Sequence, residues 1–239
     1  MTTTQTTDTE APAAAAPADM RRTWRRILAF VAPVPGIALA VSNGITPADL
    51  GGSTADEFAS FAAHPVAGGW TIAFSGLFAL TLAPAAAALM MAYRRHAPRL
   101  TTYLVGFVAV GFLFSPLYPS TNLLAAITGN EGLDRDAGIA LAEGVTDNPW
   151  VGLAVIPFFL TITLGRIALG VMLWRVRLAP RWMAVAMLLA TPVEFVLNPA
   201  IGNTGPAIAY LLTAVGFLSA SYVLLRTPDD EFDLPPVAR

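Results

Sequence analysis

The sequence predicts an all-α polytopic membrane protein, a six-helix transmembrane bundle with short amphipathic helices in its outer loops. Two observations lead to this prediction. Of the 239 residues, 55% are hydrophobic and 13% are charged, whereas soluble domains contain about 25% charged residues. The apolar residues are also gathered into six segments, and most of these have the length of about 17 to 25 residues with which a helix crosses a bilayer.

The six apolar segments lie between residues 20 and 226, which we take as the transmembrane domain. Lipid offers no hydrogen-bond partner to an open backbone, so each segment is expected to be helical. Prolines within the segments predict kinks, because neighbouring helices can satisfy the carbonyl groups that a proline frees. The spans are expected at residues 27–43, 69–93, 101–118, 150–174, 182–197 and 206–225.

Both ends of the chain are expected to lie outside the bundle. Residues 1–19 are rich in Thr, Ala and Pro and predict a disordered tail, and residues 227–239 form a second tail. Met20 precedes the basic run RRTWRR, so translation can start at Met1 or at Met20. A basic start, an apolar core and the small residues at 38–40 also fit a cleaved signal peptide, which would leave five spans. A retained first span has the same pattern and is the interpretation we favour.

The arginines predict the orientation of the bundle in the cell membrane. All basic residues are arginine, and they cluster before the first span and in alternate loops. The outer loops at 46–68 and 119–149 are acidic and contain one arginine, Arg135. Because short basic loops stay in the cytoplasm, both termini are expected to be cytoplasmic. The clusters are Arg21, Arg22, Arg25 and Arg26, then Arg94, Arg95 and Arg99, then Arg175, Arg177 and Arg181.

The outer loops contain signals for short helices. Thr54 and Glu57 have the spacing of a capping box and lead into Phe58 and Phe61. In the second loop, a helix is expected over residues 134–143. Other local signals are a helix start at Thr46, Pro47 and Asp49, and breaks at Gly129, Gly132 and Gly144.

Small and aromatic residues predict packing surfaces and membrane boundaries. The alanine run at 83–89, the pair Gly165 and Gly170, and the pair Gly106 and Gly111 are expected to let helices approach closely in lipid. The tryptophans stand at the ends of the expected spans, where indole rings suit the headgroup region. They are Trp24, Trp70, Trp150, Trp174 and Trp182.

Two turns of the chain resemble each other. RRHAPRL at 94–100 and VRLAPRW at 176–182 align at Ala-Pro-Arg, each between two apolar segments. Duplication of a two-helix unit and convergence on a favourable hairpin turn both explain the match. The Arg and Pro-Arg-Trp turn resembles one in uncharacterised bacterial multi-pass membrane families, known as domains of unknown function. That resemblance covers the turn alone and implies no activity.

Arg166 and Glu194 are the charged residues inside the expected spans. A hairpin centred near residue 178 places residue 190 opposite Arg166, with Glu194 about one turn, or roughly 5 Å, further along. A lone charge in mid-helix costs about 2.5 to 3.5 kcal/mol, so we expect the two side chains to pair in a charge-assisted hydrogen bond. Such a pair can simply lock two helices or can line a cavity for a solute or proton. Otherwise Arg166 snorkels to the interface.

Polar residues at the outer helix ends favour the cavity. Asn43, Asn122 and Asn198 lie at or near these ends, and Ser115 lies about one turn deeper, level with Glu194. Helix capping explains each asparagine taken alone. Together with Arg166 and Glu194, these residues form the candidate site of a polar cavity that binds a small-molecule solute.

Residue types that carry most enzyme chemistry are scarce. The chain has no cysteine and only His64 and His96, and it lacks the common hydrolase, metalloprotease, phosphate-loop and dinucleotide motifs. We therefore predict no catalytic, cofactor-binding or metal-binding residues and no nucleic-acid partner; the lipid bilayer is the expected surrounding. Three classes of function follow in order: small-solute binding or transport, a non-enzymatic structural or accessory role, and a membrane enzyme.

Overall fold

The computed structural model describes residues 20–48, 52–114, 121–131 and 133–232, and within these ranges the chain is helical without strands. The predicted tail at residues 1–19 lies outside them. The helices, in chain order, are α1 (Arg21–Val31), α2 (Val34–Ile45), α3 (Thr54–Ala63), α4 (Pro65–Tyr93), α5 (Pro98–Phe114), α6 (Thr121–Glu131), α7 (Arg135–Thr146), α8 (Pro149–Val176), α9 (Arg181–Ile201) and α10 (Thr204–Arg226).

Five of the expected spans are present as helices long and apolar enough to cross a membrane. They are α1 with α2, followed by α4, α8, α9 and α10. Helix α5 occupies the third expected span with 17 residues, which at 1.5 Å per residue is about 25 Å. Tyr118, the expected end of that span, lies outside the described residues. The predicted class is confirmed: the protein is an all-helical, multi-pass membrane protein.

The first span is part of the bundle interior. Helices α1 and α2 are separated at Ala32 and Pro33, and α2 packs between α4 and α10. A Cβ atom added to Gly36 would lie 2.7 Å from the Cα atom of Ala214 in α10, so the two backbones touch. Helix α2 is therefore a direct neighbour of α10, and retention of the first span stays a prediction.

Helix α10 is the central element of the bundle. It packs against α9, α2, α1 and α4, while α8 pairs with α9 and α5 pairs with α8. Helices α4, α8 and α9 run continuously through Pro84, Pro157 and Pro192. The core is built mainly of small and aliphatic residues, among them Ala32, Ala88, Leu89, Met172, Leu173, Met187, Ala220 and Leu224.

The two glycine pairs that were expected to allow close helix contacts differ in how closely they approach a neighbouring helix. A Cβ atom on Gly170 would lie 2.6 Å from Leu188 Cγ, so this glycine lets α8 and α9 approach closely, as expected. Gly106 is exposed, and an added Cβ would have nothing within 4 Å. The expectation of a packing surface at Gly106 is therefore wrong, because that glycine points away from the neighbours of α5. The side-chain surroundings of Gly111 lie outside the described residues.

Helices α3, α6 and α7 form a cap at the acidic end of the bundle. Phe58 and Phe61 of α3 are buried against Ala125 and Ala126 of α6 and Ala142 of α7. The short helices predicted in the outer loops are therefore confirmed, and Asp134 caps α7 by accepting from the backbone N–H groups of residues 136 and 137.

The first turn of α3 corrects the predicted cap. Ser53 is the N-cap residue: its Oγ accepts from the N–H of Asp56 at 3.2 Å and donates to Oδ2 of Asp56 at 2.6 Å. The predicted box of Thr54 and Glu57 is wrong by one residue, because Ser53 and Asp56 have the same spacing. Glu57 instead accepts a hydrogen bond of 2.9 Å from Thr121 of α6.

Other loop signals are also corrected. Thr46 ends α2 rather than starting a helix, and Pro47 follows in a bend; Asp49 and Gly132 lie outside the described residues.

Gly129 and Gly144 lie within α6 and α7 and do not break them. A Cβ on Gly129 would lie 3.1 Å from the Cα atom of Ala62, so it marks a contact between α3 and α6. Helix α6, which we did not predict, packs against α3 at this contact.

The arginine clusters meet at the other end of the bundle with the segment after α10. Arg25 donates to the carbonyl of Thr227 and to Asp229, and Arg95 pairs with Glu231 at 2.9 Å. Phe232 is buried in the main core cluster. We call residues 227–232 the C-terminal segment; residues 233–239 of the expected tail lie outside the described residues.

The outer surface of the spans suits lipid. All five tryptophans are exposed near helix ends, as expected, and large apolar side chains such as Phe30 (79%) and Leu80 (78%) are largely accessible. In water such a surface would be unfavourable, but lipid tails are an apolar solvent.

Candidate functional site

The structure brings Arg166 of α8 and Glu194 of α9 together. The Nη2 group of Arg166 donates to Oε2 of Glu194, and Nε donates to the carbonyl of Ile162 at 2.8 Å. The two side chains are 8% and 22% exposed. The contact is the one expected from the hairpin, and Arg166 does not snorkel to the interface.

The register of the α8–α9 hairpin explains the pairing. Arg177 ends α8 in the left-handed conformation, at φ 59°, and Pro180 precedes the first turn of α9. Gly170 allows the two helices to approach, and Thr191 donates to the carbonyl of Thr163 at 3.4 Å. Thr163 and Thr191 each lie three residues before the two members of the ion pair, so this hydrogen bond holds α8 and α9 together close to Arg166 and Glu194.

Tyr210 of α10 adds a third partner that the sequence did not reveal. The Cζ atom of Arg166 lies 5.4 Å from the centroid of the Tyr210 ring, within the distance at which a cation is attracted by an aromatic face. A tyrosine near the start of an apolar span is the available signal, but its proximity to Arg166 depends on how α10 packs. The guanidinium is thus surrounded by α8, α9 and α10.

One nitrogen of Arg166 is not engaged by any described residue. A guanidinium has five N–H donors, and the Nε and Nη2 groups are engaged as described above. The Nη1 atom is buried and has no hydrogen-bond partner within the described part of the chain. A buried donor without an acceptor is unfavourable, so this side of the guanidinium is ready to bind an acceptor.

Arg166 lines a cavity of about 100 Å³ in the middle of the bundle. The cavity is partly open and is lined by side chains from α2, α4, α5, α8, α9 and α10, including Tyr210. Most of the wall is apolar, including Leu82, Leu104, Phe158, Leu169, Met187 and Phe217.

The hydroxyl groups in the cavity wall donate within the protein. Thr161 donates to the carbonyl of Phe107 at 3.4 Å, and Thr213 donates to the carbonyl of Ala209 at 3.0 Å. Thr101 donates to the sulfur of Met172 at 3.8 Å. The cavity therefore differs from the polar cavity that the sequence favours: it is an apolar space with a guanidinium in its wall.

The asparagines of the candidate set are absent from the described wall of this cavity. Asn43 donates to the carbonyl of Leu39 in its own helix at 2.9 Å. Asn198 lies one turn beyond Glu194, with a buried and unpaired Oδ1 atom. Asn122 is half-buried at the start of α6, and Ser115 lies outside the described residues. Asparagines at helix ends can bond locally, which explains why most of the set does not gather around Arg166.

A second, more polar cavity of about 210 Å³ lies at the arginine-rich end. Its wall includes Arg95, His96, Leu178 and residues of the C-terminal segment, notably Glu231 and Phe232. Leu178 belongs to the α8–α9 turn, so the arginine-bearing turns and the C-terminal segment share this end. Ionic contacts here lie near water, whereas Arg166 and Glu194 lie among the spans.

The fold and the site define a polytopic helical membrane protein with a buried ion pair beside an apolar cavity. No protein-family model, curated protein or solved structure matches the chain.

Proposed function

We propose that the protein binds, or transports, a small solute through the cavity beside Arg166. We further propose that it is a protein of the cell membrane whose arginine-rich end faces the cytoplasm. The observation that carries the proposal is the Nη1 group of Arg166, a buried donor in the wall of a cavity that has no acceptor among the described residues.

A purely structural pair explains this arrangement less well. Holding α8 to α9 requires only the bond between Nη2 and Glu194, and an apolar residue at each position can hold two helices without desolvating charge. The bond to Glu194 and the ring of Tyr210 position the guanidinium while Nη1 stays available. Such a prearranged donor supports ligand recognition, since its position is set before the ligand enters.

Filling the cavity tests the binding proposal. Ala86 lines the cavity, whereas its neighbour Ala87 is exposed on the same helix. Ala86→Phe should occupy the space, and Ala87→Phe is a matched control that adds the same side chain towards lipid. Small molecules extracted from the purified proteins are compared by mass spectrometry. We expect a species bound to the wild-type protein and to Ala87→Phe but absent from Ala86→Phe. Identical extracts from all three proteins would contradict the proposal.

Single cysteines test the orientation, because the natural chain has none. Gly144 is exposed in the cap, and an added Cβ there would meet nothing; Asp230 is exposed in the C-terminal segment. In intact cells, an impermeant maleimide should label Gly144→Cys and should label Asp230→Cys only after permeabilisation. The opposite pattern would reverse the proposed orientation.

A further inference from the structure

The number of free donors on Arg166 indicates what kind of atom the cavity recognises. Nε and Nη2 donate to Ile162 and Glu194, while Nη1 is buried and meets no acceptor in the part of the chain that the structure describes. The residue as a whole is 7% exposed. Both hydrogens of Nη1 are donors, so the complementary group is a hydrogen-bond acceptor such as an oxygen.

The charge of the site disfavours an anion. Glu194 already neutralises Arg166, and the remaining cavity wall is apolar apart from Tyr210 and hydroxyl groups. A bound carboxylate or phosphate would leave a net negative charge among apolar side chains, where a charge without its own partner is unfavourable. A neutral oxygen can accept from Nη1 and adds no charge.

The size of the cavity limits the ligand or the part of it that enters. An engineered apolar cavity of about 150 Å³ holds one benzene molecule, and the cavity here is about 100 Å³. Because the cavity is partly open, it takes in a short chain or the polar end of a six-membered ring, while the rest of the ring stays in its mouth. The apolar wall requires that most of this group be hydrocarbon, since a second polar group would lose its hydrogen bonds to water.

We propose that the cavity recognises a neutral carbonyl compound, or the carbonyl-bearing end of a larger apolar molecule, through a hydrogen bond from Nη1 of Arg166 to the carbonyl oxygen. This inference rests on the proposed function and specifies the chemistry of the solute. Glu194 acts as a positioning residue, because it holds the guanidinium and balances its charge without touching the ligand.

Three small probes of similar size test this inference on the full chain in maltoside detergent, which has no carbonyl group. Cyclohexanone carries the acceptor, methylenecyclohexane has nearly the same shape without oxygen, and cyclohexanecarboxylate carries a charge. Affinities are measured for the wild-type protein, for Ala86→Phe with its control Ala87→Phe, and for the double variant Arg166→Met with Glu194→Leu. The infrared carbonyl band of cyclohexanone is isolated by subtracting spectra of its ¹³C-labelled form.

We expect the wild-type protein to bind cyclohexanone about ten-fold or more tightly than methylenecyclohexane, as a hydrogen bond from a charged donor implies. The bound carbonyl band should lie at lower frequency than that of cyclohexanone in detergent alone. In the double variant, the preference and the lowered band should both disappear. The band is measured on the wild-type protein, so the test does not depend on folding of the double variant.

The other outcomes separate the two proposals. Equal affinity for cyclohexanone and methylenecyclohexane, lost in Ala86→Phe, would overturn the carbonyl inference and leave binding in the cavity intact. Tighter binding of cyclohexanecarboxylate would overturn the requirement for a neutral ligand. If no probe distinguishes the wild-type protein from Ala86→Phe, the cavity does not bind such molecules, and both the inference and the proposed binding role fail.

Discussion

The Arg166–Glu194 pair and the Arg95–Glu231 pair have the same chemistry in different surroundings. The first lies between two spans with side chains 8% and 22% exposed, and the second lies at the arginine-rich end with side chains 19% and 49% exposed. In the spans, loss of one partner leaves a charge with no solvent to take it up. At the end of the bundle, water and salt replace a lost partner. The comparison shows that the surroundings, more than the bond, set the energetic importance of an ion pair.

The largest effect is expected from breaking the buried pair. Arg166→Ala leaves the carboxylate of Glu194 unpaired, and Glu194→Ala leaves the guanidinium unpaired, so each change should lower the free energy of unfolding by about 3 to 5 kcal/mol. The double variant Arg166→Met with Glu194→Leu should recover much of this loss. Unfolding is measured in detergent as a double-mutant cycle; additive single effects would show that the two side chains do not interact.

The same double variant separates packing from binding. If it folds and still retains the small molecules found on the wild-type protein, the pair only joins α8 to α9. If it folds and loses them, the guanidinium is needed for binding. This comparison bears directly on the difference between the two ion pairs, because Arg166 lines the central cavity whereas Arg95 and Glu231 line the cavity at the arginine-rich end.

The second prediction concerns what holds the C-terminal segment against the bundle. Phe232 is 6% exposed in the main core cluster, whereas the acidic side chains of this segment are partly accessible. Burial of a phenylalanine side chain is favourable by about 1.5 to 3 kcal/mol. Phe232→Ala should therefore increase amide exchange and protease cleavage at residues 227–231. Asp230→Ala, at an exposed position, is the control and should behave as the wild-type protein.

The third prediction concerns the coupling free energy of the exposed pair, Arg95 and Glu231. In a double-mutant cycle of Arg95→Gln and Glu231→Gln, the coupling free energy should be about 0.2 to 1 kcal/mol. It should shrink when the ionic strength is raised to about 1 M, where charges are screened beyond roughly 3 Å. The coupling of Arg166 to Glu194 should change little with salt, since the spans exclude ions. Equal salt dependence of the two couplings would contradict the distinction drawn between them.

The smallest effect is expected at Glu57, a half-buried carboxylate whose partner is a hydroxyl rather than a cation. Burial raises the pKa of Glu57, and the hydrogen bond from Thr121 opposes this shift. A raised pKa in the folded state favours folding below the usual glutamate pKa, and this contribution is lost as pH rises through the raised value. The cap should therefore be less stable at pH 7 than at pH 4 through this group.

Glu57→Gln should remove that part of the pH dependence, because the amide keeps an acceptor for Thr121 and does not ionise. Amide exchange in residues 53–63 at the two pH values, corrected for intrinsic exchange rates, measures the effect. Glu143→Gln, at an exposed position of α7, controls for the loss of one negative charge and should leave the pH dependence unchanged. A larger change in Glu143→Gln than in Glu57→Gln would contradict the assignment.

Much of the fold follows from local sequence. The spans are visible because a helix in lipid must be apolar along its whole length, which is a property of consecutive residues. The pairing of Arg166 with Glu194 is also accessible, since a short turn sets the register of α8 and α9. The predicted start of α3 was wrong by one residue, because Ser53 and Thr54 both stand three positions before an acidic side chain. The predictions for two glycines were wrong because glycine occurs at breaks, at close contacts and on open surfaces. Gly129 lies at a helix contact rather than a break, and Gly106 faces away from neighbouring helices rather than packing against them.

The sequence by itself determined that this protein is a helical bundle in a membrane. It also identified Arg166 and Glu194 as charged side chains within the spans, each of which requires a partner of opposite charge. Only the tertiary structure decided that Tyr210 faces Arg166, that Nη1 of Arg166 lacks an acceptor within the described ranges, and that the adjoining space is apolar. The physical reason is the range of the interactions. Hydropathy and hairpin register are set by neighbouring residues, whereas the cavity is formed where side chains of six separate helices fail to fill the space between them.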